Sequence, residues 1–179
     1  MNNNIKKWIT EYGIEFLINI GIKKGDKVFD CCCGEGNYSI PAAKIVGPKG
    51  LVYALEMNKS KLNTLKETSD LVKVKNIKII DTEFKATLPL SSKSIDIILL
   101  YDIFWYFSLD DIRLSRLINE VYRISKDSVI FSVYPEHVDK NKLKLKIEKA
   151  NFLLEKEILK TLVHDNELKT GQVWNFRKL

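Results

Sequence analysis

The chain has 179 residues, 45% of them hydrophobic and 29% charged, with 29 basic against 23 acidic side chains for a net charge of +6. That length and composition suit one globular domain and exclude a fibre, a disulfide-framed mini-protein and a disordered tail. No apolar run reaches the roughly 18 residues of a membrane span, and the opening MNNNIKKWITEYG lacks the apolar stretch of a signal peptide, so a cytoplasmic protein is expected.

In chain order, Trp8, Tyr12 and Phe16 come first, recurring every four residues as one apolar stripe of a helix. KVFDC (27–31) follows the Lys24-Gly25-Asp26 turn and predicts a first strand. Residues 37–46, NYSIPAAKIV, predict a helix with Pro41 in its first turn, ended by Gly47-Pro48-Lys49-Gly50. LVYALE (51–56) is a second buried strand, and Asn58 caps a helix running to about Val72. NIKII (76–80) is a third strand ending at Asp81, and SIDIILL (94–100) is a fourth, apolar enough for the centre of a parallel sheet.

Ser108 and Asp111 have capping-box spacing ahead of a helix to about Ile124, and SVIFSVY (128–134) is a fifth strand. Residues 138–150 fit both periods; a helix is expected there because a parallel sheet needs crossovers. FLLEKEILKTLV (152–163), then HDNELKTG, then QVWNFRKL (172–179), read as a closing hairpin. The alternation predicts an α/β, doubly wound sheet with right-handed crossovers, whose ligands bind beyond the carboxyl ends of the strands.

Those ends carry the chemistry. The first strand leads into Asp30-Cys-Cys-Cys-Gly34-Glu35-Gly36-Asn37, where glycines let a ligand approach the backbone and a helix N-terminus supplies free amides. Glu56 closes the second strand 20 residues after Gly36, where a carboxylate can accept bonds from two vicinal ribose hydroxyls. A dinucleotide site asks for a third glycine, and Ser39 stands there instead. Cys31, Cys32 and Cys33 are the only cysteines; neighbours cannot form an ordinary disulfide, and they offer no zinc geometry, so small reduced side chains and no metal are expected. The lysines are scattered and arginines are few, which favours a small molecule over a nucleic acid as partner.

VFDCCCGEGNYS resembles the first motif of class I S-adenosylmethionine-dependent methyltransferases, in which a strand-end acid precedes GxGxG. Asp30, Gly34 and Gly36 match it, and Cys32 takes the first glycine's place. VYALEMN (52–58), IIDTEF (79–84), LPLSSKSIDIILLYDIFWYF (88–107) and the hairpin ending in GQVWNFRK are similar to later parts of the family, most like its small UbiE-like, type 11 branch. The resemblance implies a single Rossmann-like sheet, mostly parallel, of seven strands, with an N-terminal helical cap over residues 1–24 and the methyltransferase domain over 25–179.

The same resemblance implies S-adenosyl-L-methionine as cofactor. Asp30, Cys32 and the Gly34–Gly36 backbone then hold its methionine end, Glu56 its ribose, Met57 and Asp81 with Thr82 its adenine, and Leu100 and Tyr101 line the sulfonium side. Tyr12, Asp102, Trp105, Tyr106 and His137 are the candidates for the acceptor pocket. Methyl transfer needs chiefly alignment of a nucleophile and exclusion of water; no catalytic base is assigned, although His137 after the fifth strand is a candidate beside its plain surface reading. The expected activity is methyl transfer to a small molecule. A nicotinamide oxidoreductase, an RNA or protein methyltransferase and a binding module without turnover remain open.

Overall fold

Alternate residues of a strand turn to opposite sides, and in the central strands both sides are buried. Val28, Ile97 and Leu99 face one layer, while Phe29, Ile98 and Leu100 face the other. A sheet apolar on both faces needs helices on both. The computed structural model describes residues 3–81, 87–104 and 106–179, so the candidates Thr82 and Trp105 lie outside the described residues.

The first layer contains α1 (Asn3–Lys7), a π-helical turn (Trp8–Tyr12), α2 (Gly13–Ile20), α3 (Ser39–Val46) and α4 (Lys59–Leu71). The second contains α5 (Ile112–Ile124) and α6 (Lys140–Glu148). Between them lie β1 (Lys27–Cys31), β2 (Leu51–Leu55), β3 (Ile77–Ile80), β4 (Ile95–Leu100), β5 (Ser125–Val133), β6 (Phe152–His164) and β7 (Glu167–Lys178). Their order is β3-β2-β1-β4-β5-β7-β6. The pairs among β1 to β5 are parallel, and β7 runs antiparallel to both β5 and β6. The chain thus leaves β1 towards β2 on one side and later returns to place β4 on the other, which opens a crevice at that switch point. This is the seven-stranded sheet expected from the sequence.

Local chemistry accounts for the boundaries and for three departures. Asn58 caps α4 as expected, its Oδ1 accepting from the amides of Ser60 and Lys61 at 3.0 and 3.2 Å. Helix α5 is capped by Asp111, whose Oδ1 accepts from Arg113 N at 2.8 Å, so Asp111 and not Ser108 starts it. The closing hairpin is longer than expected, because Asp165 and Asn166, at φ 52° and 59°, turn the chain in two residues and bring His164 and Glu167–Gly171 into the strands. Aspartate and asparagine tolerate this left-handed backbone better than most residues.

The third departure is at the N-terminus. The Gly13 amide bonds back to Trp8 O, five residues earlier, and this π turn breaks the four-residue stripe. Trp8 is fully buried and Phe16 nearly so, whereas Tyr12 is 42% exposed. Glycine is required at 13, since a Cβ there would lie 2.7 Å from Trp8 O and 2.9 Å from its ring. Trp8, Phe16, Leu17 and Ile20 join the same core as Val28 and Leu99. Asn175 Nδ2 of β7 donates to Ile20 O at 2.8 Å and ties the end of α2 to the sheet. Among the described residues, no helix is long and apolar enough to cross a membrane.

Candidate active site

A cavity of about 860 Å³ opens where β1, β2 and β4 end. Asp30 stands at its base, 2% exposed, with its Oδ2 accepting 2.5 Å from Ser39 Oγ. Burial pushes the Asp30 carboxyl up to about 7; the Ser39 hydroxyl opposes that shift, and the charges of Glu56 and Asp102 add to it. A cation entering the cavity would restore its ionised form.

The turn after β1 is built on left-handed backbone. Cys32, Gly34 and Gly36 have φ of 61°, 57° and 89°. The cysteine at the first glycine position therefore keeps the conformation glycine would have, at a cost of about 1–2 kcal/mol. Nothing lies within 4 Å of the place where a Gly34 Cβ would stand, so that side of the turn faces open space in the cavity wall. Gly36 has a different requirement, because a Cβ there would meet Leu65 Cδ1 of α4 at 2.2 Å. Gly36 is not part of the cavity wall and acts by letting the turn pack. Cys32 and Cys33 line the cavity, and burial raises the Cys33 thiol far above its ordinary range.

Glu56 follows β2 and is oriented by backbone amides. Its Oε1 accepts from Met57 N and Asn58 N at 2.9 and 2.8 Å, and its Oε2 from Gly34 N at 3.1 Å. This joins the turn after β1 to the end of β2 and leaves acceptor capacity on both oxygens. Met57, Asn58 and Lys61 extend the wall beyond it. An elongated ligand with a cationic end and a vicinal diol matches the distribution of Asp30, Gly34 and Glu56.

The β4 side is aromatic. Tyr101 is buried, its hydroxyl 2.7 Å from Ser132 Oγ, and its ring packs edge-on against Tyr38 with centroids 4.7 Å apart. Tyr38 OH donates to Val163 O at 2.6 Å, and Trp8 Nε1–H donates to Asn37 O at 2.7 Å. The N-terminal helices thus brace the turn from behind. Tyr106, Phe107 and Arg113 complete the rim, the guanidinium lying 5.1 Å from the Phe107 ring centre.

Of the candidates from sequence, Asp30, Cys32, Gly34, Glu56, Met57, Tyr101, Asp102 and Tyr106 share this cavity. Leu100 is buried beneath it, and Asp81 is exposed at the end of β3 outside its wall. Tyr12 is also outside, turned to solvent by the π turn. His137 is exposed and not on the wall, but it connects to the cavity through a residue the sequence reading missed. His164, at the end of β6 and 2% exposed, donates from Nδ1 to Asp102 Oδ1 at 2.6 Å, and its Nε2 lies 2.9 Å from His137 Nε2. Tyr38, Lys61 and Arg113 were missed as well. The chain's two histidines are 27 residues apart, and only the position of β7 and β6 beside β5 brings them together. Among the described residues, no group of three or more His, Cys, Asp or Glu is placed to hold a metal ion.

Several known proteins share this architecture. A SAM-dependent methyltransferase from Aquifex aeolicus superposes with a TM-score of 0.73 at 21% identity, over 98% of this chain and 97% of that one. M. jannaschii TYW2, solved in complex with AdoMet, superposes with a TM-score of 0.61 at 19% identity, over 95% and 78% of the two chains. A demethylmenaquinone methyltransferase of Staphylococcus aureus is 32% identical over 78 residues, which is 44% of this chain and 31% of that protein. Those structures share the fold, and the Staphylococcus match spans about a third of its relative. The sequence pattern of the family described as a methyltransferase domain matches residues 22–175, most of the chain, which therefore belongs to that family.

Proposed function

We propose that the chain transfers a methyl group from S-adenosylmethionine to a small-molecule acceptor. The observation that carries this reading is the convergence of Asp30, the Gly34 turn and the amide-oriented Glu56 on one cavity. Asp30 answers the ammonium of the methionine end, and the open face of Gly34 lets that end approach the backbone. Glu56 accepts from the ribose hydroxyls, and the exposed Met57 packs on the adenine. When bound, the cofactor supplies an electrophilic methyl group. The chain's own work is to bind, to align and to exclude water.

A small acceptor fits the rim. Tyr101, Tyr106 and Phe107 offer aromatic surface to a planar or partly apolar molecule. The Staphylococcus relative, named for demethylmenaquinone, agrees with that chemistry. Residues 1–24 act as a cap by bracing the turn through Trp8, and the methyltransferase domain occupies 25–179.

Isothermal calorimetry with S-adenosylhomocysteine tests the reading. Saturable one-to-one binding below millimolar concentration is expected. No binding at millimolar ligand, or saturable binding of NADH in its place, overturns it.

A further inference from the structure

Asp102, His164 and His137 come from three separate segments, the turns after β4 and β5 and the end of β6, and meet in one hydrogen-bonded row. Two members are in left-handed backbone, Asp102 at φ 55° and His137 at φ 60°. The row runs from the cavity wall at Asp102, through the buried His164, to the exposed His137. It is satisfied when His164 carries its proton on Nδ1, facing Asp102, and its Nε2 accepts from His137 Nε2–H. Asp165 Oδ2 lies 3.3 Å from His164 Nε2, and the Tyr134 ring packs edge-on against His164.

We propose that Asp102 is the base that takes the proton of a protic acceptor, with His164 and His137 as positioning residues that hold its carboxylate ionised and directed. The proposal rests on the methyltransferase reading above. As the acceptor is methylated, its X–H bond breaks and the electron pair stays on X for the new bond to carbon; the pair of the carbon–sulfur bond that gives way would return to sulfur, leaving S-adenosylhomocysteine, and the proton passes to an Asp102 carboxylate oxygen. The resulting carboxylic acid returns its proton to solvent before the next turnover. A carboxylate is a weak base, so it serves an acceptor whose X–H is acidic, a phenolic or enolic hydroxyl, and not an aliphatic alcohol. The aromatic rim of the same cavity suits such an acceptor.

The groups facing Asp102 set its ionisation from several elements. Burial raises its carboxyl, His164 foremost and then His137 oppose this, and Asp165 adds to it. Asp30 of β1 and Tyr38, just before α3, lie within its field, as does Tyr134 after β5. Removing the imidazole at 164 therefore moves the Asp102 carboxyl upward, which a purely structural contact would not do.

The test compares wild type with Asp102→Asn, His164→Gln and the exposed His137→Gln. S-adenosylhomocysteine affinity should stay within about threefold in all four. Transfer from radiolabelled S-adenosylmethionine is followed on catechol, phenol and 2-naphthol, which arrive protonated at neutral pH, with a thioether as an acceptor that has no proton to lose. Asp102→Asn should lower kcat on the protic acceptors by about a hundredfold or more, and by at least tenfold more than it lowers the thioether rate. His164→Gln should lower kcat with little change in KM and move the acid limb of the pH profile upward, and His137→Gln should do the same more weakly. Apart from turnover, the downfield imidazole proton resonance between His164 and Asp102 should vanish in Asp102→Asn and His164→Gln and persist in His137→Gln. Unchanged rates in Asp102→Asn, equal losses on the thioether, or no transfer to any protic acceptor by protein that binds S-adenosylhomocysteine would each overturn the proposal. So would stoichiometric Zn²⁺ binding lost in both histidine variants. Failure of wild type to bind S-adenosylhomocysteine would instead remove the underlying reading.

Discussion

Ser39, the first residue of α3, donates its hydroxyl hydrogen to Asp30, the penultimate residue of β1, across 2.5 Å of buried space. One neutral donor does not offset the desolvation of a carboxylate, and Asp30 is held at about 7 against an ordinary 3.8. The sign of the linkage follows. Below about 3.8 both folded and unfolded chains carry the proton. Between 3.8 and 7 the folded chain holds it more tightly, so this group lowers stability as pH rises by up to about 1.4 kcal/mol per unit. Above 7 the loss is complete. Asp30→Asn removes that slope: in urea titrations the variant should match wild type near pH 4 and exceed it in stability at pH 8.

The same carboxyl should couple pH to ligand affinity. S-adenosylhomocysteine carries an ammonium group, and the ionised Asp30 is its proposed partner. Affinity is therefore expected to fall as pH drops below 7, by up to about tenfold per unit, or 1.4 kcal/mol. Calorimetry between pH 5.5 and 8 measures the slope, and in Asp30→Asn it should be flat and the binding weaker throughout.

Glu56→Ala should weaken the same ligand by about 1–3 kcal/mol, the range for removing a charged hydrogen-bond partner. Glu56 also orients the amides of Gly34, Met57 and Asn58, so part of the loss is expected as a slower association of the ligand with a looser turn. Stopped-flow association rates separate the two contributions.

Cys32→Gly should stabilise the fold. The left-handed backbone at position 32 costs cysteine about 1–2 kcal/mol, while glycine loses roughly 0.5–1 kcal/mol of that gain to the entropy of the unfolded chain. A net rise of up to about 1.5 kcal/mol in guanidinium denaturation is expected, with S-adenosylhomocysteine binding retained. Gly36→Ala should do the opposite by about 2–4 kcal/mol, since its Cβ enters Leu65 and its φ is 89°.

Trp8→Ala should cost about 3–5 kcal/mol of stability, as for a large buried aromatic, whereas Tyr12→Ala should fall within about 0.5 kcal/mol. Thermal denaturation of the two variants distinguishes helices that are part of the core from a detachable lid.

The sheet, and the residues that its strand ends bring to the cavity, were legible because their signals are local. An apolar run of five or six residues, a turn and a strand-end acid need no knowledge of what lies across the sheet, and Asp30, Gly34 and Glu56 could be read in this way. What could not be read depends on contacts distant in sequence or on backbone irregularity. Tyr12 left the pocket because one π turn shifts the helical face, and the only sequence hint is Gly13, the residue that admits the Trp8 ring. His164 looked like part of a loop because Asp165-Asn166 is a two-residue turn without glycine. Its meeting with His137 is a product of strand order, which no spacing along the chain encodes.

The outer strand β6 has a consequence for the behaviour of the chain in concentrated solution. A terminal strand of thirteen residues exposes backbone donors and acceptors along one side, a template on which a second chain could polymerise. Two features work against that. The register with β7 slips between Leu154 and Lys156, so the margin is kinked instead of flat. Glu155, Lys156, Glu157 and Lys160 then place charge of both signs along the exposed stretch. An incoming strand would have to follow the kink and desolvate those charges, so resistance to fibril growth is built into the rim of the sheet and is independent of the cavity at its centre.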